Sequence, residues 1–299
     1  MKIGFIGLGN MGEPAAANLA RKKFALTVHD LHKDRAQRLL GMGAAWAASP
    51  REIASASDVV ITCLPAPKDV AAVVEGPDGV IHGLKRGAAW IDMSTSDLHQ
   101  MARFAEQLRG MGVTVLEATA TGGVHNAREG RVTLFIGGHR ADYEKYRPVI
   151  EGVANQVFYM GELGRATITK LITNMMCFVH QVALAEGLSL GAQAGIDSTA
   201  LLEAIQASYA GSFSAQIDGP QILDGSYDKT FSIGLVAKDM TLGLALAKEH
   251  KAPMKVVEAA AGIVFKARDS YGPEAGALTT ARVIEEQTGK LLRAAWPRK

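Results

Sequence analysis

Cysteine is nearly absent: Cys63 and Cys177 are the only two in 299 residues. Both lie in apolar runs with no CxxC partner or histidine cluster nearby, which points to buried thiols rather than a disulfide framework or metal ligands. That usage fits a reducing cytoplasm, the expected location. Charge of one sign is lacking too, with 32 Lys and Arg against 30 Asp and Glu and a formal net charge of +2. No basic stripe interleaved with aromatics occurs, so no nucleic-acid partner is expected. No cluster of His, Cys or carboxylates has ligand spacing, so no metal is expected either. The opening MKIGFIGLGNMGEPAAANL begins like a signal peptide, a lysine before apolar residues. Its glycines, Asn10 and Glu13 break any helical core within a few residues, so it is not read as one. The most apolar later segment is interrupted too often by polar groups to span a bilayer, which takes about 20 mostly apolar residues. A soluble chain without a membrane partner is expected, long enough for one large or two medium domains.

What the sequence does have begins at its first residues. KIGFIG, residues 2–7, is a short apolar run typical of a buried parallel strand. Gly7, Leu8, Gly9, Asn10, Met11 and Gly12 follow at once, and then the helical stretch EPAAANLARKK. GxGxxG between a strand and a helix reads as a dinucleotide cradle, with a merely structural glycine turn as the alternative. The first glycine makes the turn, the second admits a pyrophosphate, and the third lets the helix pack on the strand. The phosphates would rest on the helix N-terminus, where unpaired N–H groups favour anions. A second strand, ALTVHD, ends in Asp30, where a carboxylate can accept both ribose hydroxyls and repel a 2′-phosphate. NAD is therefore preferred, with NADP left open because Lys33 and Arg35 stand close by. The alternative for Asp30 is a solvated strand-end or capping residue.

The pattern then repeats: helix around KDRAQRLLGMG, strand DVVITCLP, helix KDVAAVVEG, strand AAWIDMST, helix through TSDLHQMARFAEQLRGMG, strand VTVLEA. Strands alternating with helices predict a parallel α/β sheet. Leu64-Pro65 and Ser94-Thr95 fall at strand C-terminal ends, the edge where such sheets hold ligands. Next comes EATATGGVHNA, in which Thr121, Gly122 and Gly123 offer a hydroxyl and backbone N–H groups to a carboxylate. A plain glycine turn is the alternative, and His125 is better read as a surface histidine than as an acid–base. RVTLFIGG and NQVFYMG supply two further strands, and Gly161 marks the domain boundary.

From Gly161 to Gly195 the sequence contains no proline and predicts one helix of about 30 residues, apolar nearly all round and therefore buried as a spine. Lys170 and Asn174 lie one turn apart on it, on one face. Carbonyl reduction needs a proton on oxygen, and a buried lysine beside the carbonyl is a sensible general acid, or a base in reverse. A snorkelling or oligomer-buried lysine is the alternative. The remaining segments, IDSTALLEAIQAS, FSIGLVAKDMTLGLALAKEHK and MKVVEAAAGIVFKARDSYG, predict amphipathic helices. A glycine- and serine-rich connection with a short helix separates the first two. Lys238 is a second cation candidate, although Lys238-Asp239 alone reads as a surface ion pair. The closing KLLRAAWPRK reads as a solvated basic end.

On these motifs the chain resembles the β-hydroxyacid dehydrogenase family. GFIGLGNMGEPAAANL matches the family's GxGxMGxxxAxNL, and ITCLP and IDMST match its cofactor-contacting segments. The resemblance implies that Leu64, Pro65 and Thr95 line the dinucleotide. GELGRATITKLITN matches G-x-x-G-x-x-x-K-x-x-N, which implies that Lys170 is catalytic and Asn174 holds substrate. AKDMTLGLALA resembles a further family helix and implies that Lys238 contacts the cofactor. The fold implied is α/β: an N-terminal Rossmann-like doubly wound parallel sheet over 1–162, then an all-α C-terminal domain over 163–299 built on the long interdomain helix. The function implied is interconversion of a short 3-hydroxy acid, such as 3-hydroxyisobutyrate, and its semialdehyde, by a homodimer or homotetramer.

One motif departs from the family. Its substrate loop usually reads D-A-P-V-S-G-G-x-x-G-A, and here Glu117 replaces the aspartate, Thr119 the proline, Thr121 the serine and Asn126 the third glycine. The hydroxyl and backbone donors survive, so an anion should still bind. The pocket should be reshaped, for an acid of different size or a sulfonate. Two rivals remain. An imine reductase on the same architecture would reduce C=N with NADPH, and a catalytically silent NAD-binding protein would have no use for Lys170.

Overall fold

The first apolar run forms β1 (Lys2–Ile6) in the computed structural model, which describes residues 1–294. Among those residues β1 belongs to an eight-stranded sheet with β2 (Ala25–His29), β3 (Ala45–Trp46), β4 (Val59–Thr62), β5 (Ala89–Asp92), β6 (Thr114–Thr121), β7 (Thr133–Gly137) and β8 (Gln156–Gly161). The order is β3-β2-β1-β4-β5-β6-β7-β8. Strand order reverses between β1 and β4, which opens a crevice beyond their C-terminal ends. Alternate residues face opposite layers: Ile61 and Ile91 join one core, Val60 and Trp90 the other. Helices Gly12–Arg21 and Arg140–Val153 cover the first face, and Pro50–Ala56, Pro67–Glu75 and Leu98–Gly110 the second.

Pairings from β3 to β6 are parallel, as expected, but β7 runs antiparallel to β6 before β8 returns parallel to β7. Between β6 and β7 lie only the short helix Gly123–Arg128 and a turn, too little chain for a parallel crossover. Helix Pro50–Ala56 escaped the sequence pattern although its N-terminal signal is present. Ser49 Oγ accepts Glu52 N–H and Glu52 Oε2 accepts Ala48 N–H, a reciprocal cap. Helix Arg140–Val153 was hidden by its internal Pro148.

The chain divides into two compact units, Met1–Lys170 and a second from Leu171 onward. The long helix runs Arg165–Gln193, 29 residues, and ends at Gly195 with positive φ, where Ile196 N–H returns to Gly191 O. It is not buried all round. Leu171, Met175, Phe178, Val182, Ala185 and Leu188 are covered, whereas Ile172, Met176 and Leu190 are exposed. A helix apolar on every side has a choice between a core on both faces and one free face, and this one keeps a free face.

In the second unit, Met175, Phe178 and Val182 pack with Ile233, Val236, Met240 and Val264. Leu184, Ala185 and Leu188 pack with Leu202, Ile222 and Leu278. The surrounding helices are Ser198–Ala207, Phe213–Leu223, Ile233–Glu249, Lys255–Tyr271 and Thr279–Thr288. Asp197, Ser212 and Ser232 cap the first three. The closing segment corrects the sequence reading. Leu292 is fully buried, and Arg293 Nη1 pairs at 2.6 Å with the buried Glu285 carboxylate, which also accepts Leu292 N–H. The rest of KLLRAAWPRK, residues 295–299, lies outside the described residues.

Candidate active site

The glycine loop is built by close packing. A Cβ on Gly7, whose φ is +94°, would strike the Cys63 carbonyl oxygen, and one on Gly12 would strike the Gly7 oxygen. A Cβ on Gly9 would meet no atom within 4 Å, so Gly9 keeps the space over the loop open. Leu8 and Gly12 are buried, Gly9 and Met11 half-buried, and Asn10 exposed. No side chain caps helix Gly12–Arg21; Glu13 N–H is taken by Gly9 O and Pro14 carries none, so the helix offers an anion its positive dipole end rather than a row of open N–H groups. A dinucleotide pyrophosphate fits this cradle.

Asp30 is buried, not a solvated strand end. Its Oδ2 accepts Leu8 N–H at 2.7 Å, clasping the end of β2 to the glycine loop. Oδ1 accepts His32 N–H at 2.9 Å and Arg35 Nη1 at 3.4 Å. Lys33 lies 5.6 Å from the centre of the Trp46 ring. Both neighbouring cations are thus engaged by the protein.

A buried polar chain fixes the ends of β4 and β5. Trp90 Nε1 donates to Thr62 Oγ1 (2.9 Å), and Thr62 Oγ1 donates to Asp92 Oδ1 (2.7 Å). Asp92 Oδ1 also accepts from Ser94 Oγ (2.7 Å), and Ser94 Oγ accepts Leu64 N–H (2.9 Å). Leu64 and Thr95, each half-buried, and the exposed Pro65 flank this chain at the sheet edge. Hydrogen bonds linked in a buried chain polarise and strengthen one another. Burial and the Asp92 charge push the Cys63 thiol up to about 12, and neither cysteine forms a disulfide.

At the end of β6, Thr121 and the following Gly122 are half-buried and Gly123 is exposed. Gly122 and Gly123 take φ of 112° and 74°, positions that favour glycine. Asn126 Nδ2 donates to Gly122 O at 2.9 Å, so the residue in place of the family's glycine braces the turn. His125 is exposed and pairs with Glu129 at 3.1 Å, as a surface histidine does.

Glu117 is fully buried. Its Oε2 accepts Gly164 N–H and its Oε1 accepts the Thr167 hydroxyl, each at 2.6 Å. Burial, aided by Asp92, raises this carboxyl above the ordinary range, while its hydrogen bonds to Thr167, Gly164 and Ala166 pull the other way. Lys170, three residues after Thr167, is half-buried and not enclosed as expected.

In the second unit the Lys238-Asp239 pair proves to be interior. Asp239 is 3% exposed and accepts from Asn174 Nδ2 at 2.6 Å, with Lys238 Nζ 3.0 Å from its other oxygen. Asp239 was the residue sequence reasoning passed over. The signal was there, two adjacent charges within the apolar stretch IGLVAKDMTLGLALA. Because a carboxylate can only accept, it turns the Asn174 amide so that the carbonyl oxygen is left for another donor.

Residues 2–161 match the family model described as the NAD binding domain of 6-phosphogluconate dehydrogenase. Residues 164–284 match that described as NAD-binding of NADP-dependent 3-hydroxyisobutyrate dehydrogenase. The chain is 30% identical over 272 residues to the chloroplastic glyoxylate/succinic semialdehyde reductase 2 of Arabidopsis thaliana, covering 91% of this chain and 76% of that one. It is 29% identical to the 2-(hydroxymethyl)glutarate dehydrogenase of Eubacterium barkeri, covering 97% and 96%. Its fold is similar to the crystal structure of a 3-hydroxyisobutyrate dehydrogenase from Salmonella typhimurium, with a TM-score of 0.88, 26% identity, and coverage of 95% and 99%.

Proposed function

For a chain that belongs to the β-hydroxyacid dehydrogenase family, a family of NAD(P)-dependent oxidoreductases, we propose an NAD-preferring enzyme that interconverts a short 3-hydroxy acid and its semialdehyde. The observation that carries this reading is the Asn174–Asp239 bond, 2.6 Å long, on the helix that also bears Lys170 one turn earlier. It presents an oriented acceptor beside an acid–base candidate. Lys170 gives a proton to the carbonyl oxygen in reduction and removes it from the hydroxyl in oxidation. Asn174 orients the hydroxyl, and Thr121 with the Gly122 and Gly123 amides holds the acid group. Gly7, Leu8, Gly9, Asn10, Met11 and Gly12 hold the pyrophosphate and Asp30 the ribose. Leu64, Pro65, Thr95 and Lys238 line the rest of the cofactor. A bound nicotinamide would supply the hydride acceptor for the carbinol carbon. NAD is favoured because a carboxylate at the end of β2, Asp30, suits ribose hydroxyls and repels a 2′-phosphate.

The test is NADH formation from NAD with 3-hydroxyisobutyrate, 3-hydroxypropionate, glycerate, L-serine, 2-(hydroxymethyl)glutarate and a hydroxysulfonate, with NADP in parallel. Turnover of one of these with NAD, lost in Lys170→Ala, is the expected result. Reduction of a cyclic imine with NADPH and no reaction across the acids would overturn it.

The exposed Ile172, Met176 and Leu190 support a second part of the proposal, that the chain pairs with itself as a dimer or tetramer. Light scattering on Met176→Glu, against the unaltered protein, tests it through a fall in mass.

A further inference from the structure

Two side chains of β6 leave the sheet and end on the helix of Lys170. Glu117 accepts Gly164 N–H and the Thr167 hydroxyl, each at 2.6 Å. Thr119, also fully buried, donates its hydroxyl to Ala166 O at 3.1 Å. Residues 117 and 119 share one face of the strand, because side chains alternate with a period of two. Their targets are the residue before the Arg165–Gln193 helix and two residues of its first turn. The first N–H groups of a helix have no internal partner, and a carboxylate there also meets the positive end of the dipole. Gly137 on β7 makes room for this contact, since a Cβ there would press on Glu117 Oε2 and on Ala166 N.

Each bond removes a different freedom. The Gly164 bond fixes where the chain enters the helix, and the Thr167 and Ala166 bonds fix its rotation. Lys170 is three residues past Thr167, on the adjoining column of the same side. Side chains extend roughly 6 Å from a helix axis, so a roll of roughly 10° moves a side-chain tip by about 1 Å. The same strand continues directly into Thr121, Gly122 and Gly123. One rigid strand therefore sets both the anion cradle and the entry of the lysine helix. Proline, usual in the family at position 119, has no hydroxyl with which to make the Ala166 contact.

We infer that Glu117 and Thr119 are positioning residues for Lys170, tethering the first turn of its helix to the strand that ends in the anion cradle. The inference rests on the reading of Lys170 as the acid–base. Neither residue touches the reacting atoms. They act by holding the helix that does.

The test compares Thr119→Val, Glu117→Ala and Glu117→Gln with unaltered protein and with Lys170→Ala. One readout is turnover of 3-hydroxyisobutyrate with NAD. The other is the signal of Lys170 after reductive methylation with carbon-13 formaldehyde, assigned by its loss in Lys170→Ala. Thr119→Val, nearly isosteric, should lower kcat about tenfold with KM within about twofold, and should shift or broaden the Lys170 signal. Glu117→Ala should lower kcat about a hundredfold, the scale of a misplacement near 1 Å. Glu117→Gln can still accept from Gly164 and bond Thr167, so it should recover most of kcat and the sharp signal.

Thr119→Val with unaltered Lys170 signal and kcat, alongside an inactive Lys170→Ala, would overturn the inference and leave the function standing. Activity in Lys170→Ala would overturn the acid–base assignment and the inference with it. Should Glu117→Ala not fold, Thr119→Val decides. Should 3-hydroxyisobutyrate not react, the Lys170 signal decides.

Discussion

Asn174 gives its side-chain N–H to the buried Asp239 carboxylate at 2.6 Å, and that bond decides which end of the amide is offered outward. A hydrogen bond to a charged partner is worth about 1.5–3 kcal/mol. Asp239→Ala should therefore lower kcat/KM by roughly ten- to a hundredfold. The two residues act as a unit, so Asn174→Ala combined with Asp239→Ala should lose little more than either change alone. Additive losses in the double-mutant cycle would show that Asp239 does something other than orient the amide.

Asp30→Asn keeps an acceptor for Leu8 N–H but removes the charge proposed to meet the ribose. Fluorescence titration should then show NADP binding tightening relative to NAD by about tenfold, the scale of one close charge interaction. An unchanged ratio would mean that the carboxylate serves the loop and not cofactor choice.

Cys63 should be inert. A thiol at about 12 is ionised in only about one molecule in ten thousand at pH 8, and the thiolate is the reactive form. Peptide mapping after treatment with a thiol reagent should find Cys63 unmodified in the folded protein and modified in urea. Rapid labelling under native conditions would contradict the raised thiol.

Glu117 links stability to pH. Its carboxyl is raised in the folded protein from the ordinary 4.5, so between that value and its folded pKa the native state binds the extra proton. Stability from this group is fully present below 4.5 and is lost as pH rises through the folded value. Glu117→Gln escapes that loss. Its urea midpoint, relative to the unaltered protein, should improve from pH 5 to pH 8. A decline over the same range would show a carboxylate that is ionised and stabilising.

Most of the sheet was legible because β1, β4 and β5 are continuous apolar runs of the kind a doubly covered strand requires. What was not legible had physical reasons. β3 is two residues long and shows no period. The antiparallel step at β7 depends on how little chain joins it to β6, which a list of strands does not reveal. In the candidate site, the glycine loop and Asp30 announce themselves locally. Asp239 and Thr119 do not, because their partners lie 65 and 47 residues away in sequence. The free face of the long helix was invisible for another reason: Ile172 and Met176 are as apolar as the covered Met175 beside them.

The three glycines of the loop after β1 look interchangeable as a motif, yet they would decay differently. Loss of Gly7 or Gly12 drives a side chain into backbone and jeopardises the fold, whereas Gly9 has open space around it. A lineage released from selection for catalysis could replace Gly9 and still make a folded protein blind to its cofactor. In a diverged copy of this gene, position 9 would be the first place to look for retirement from chemistry.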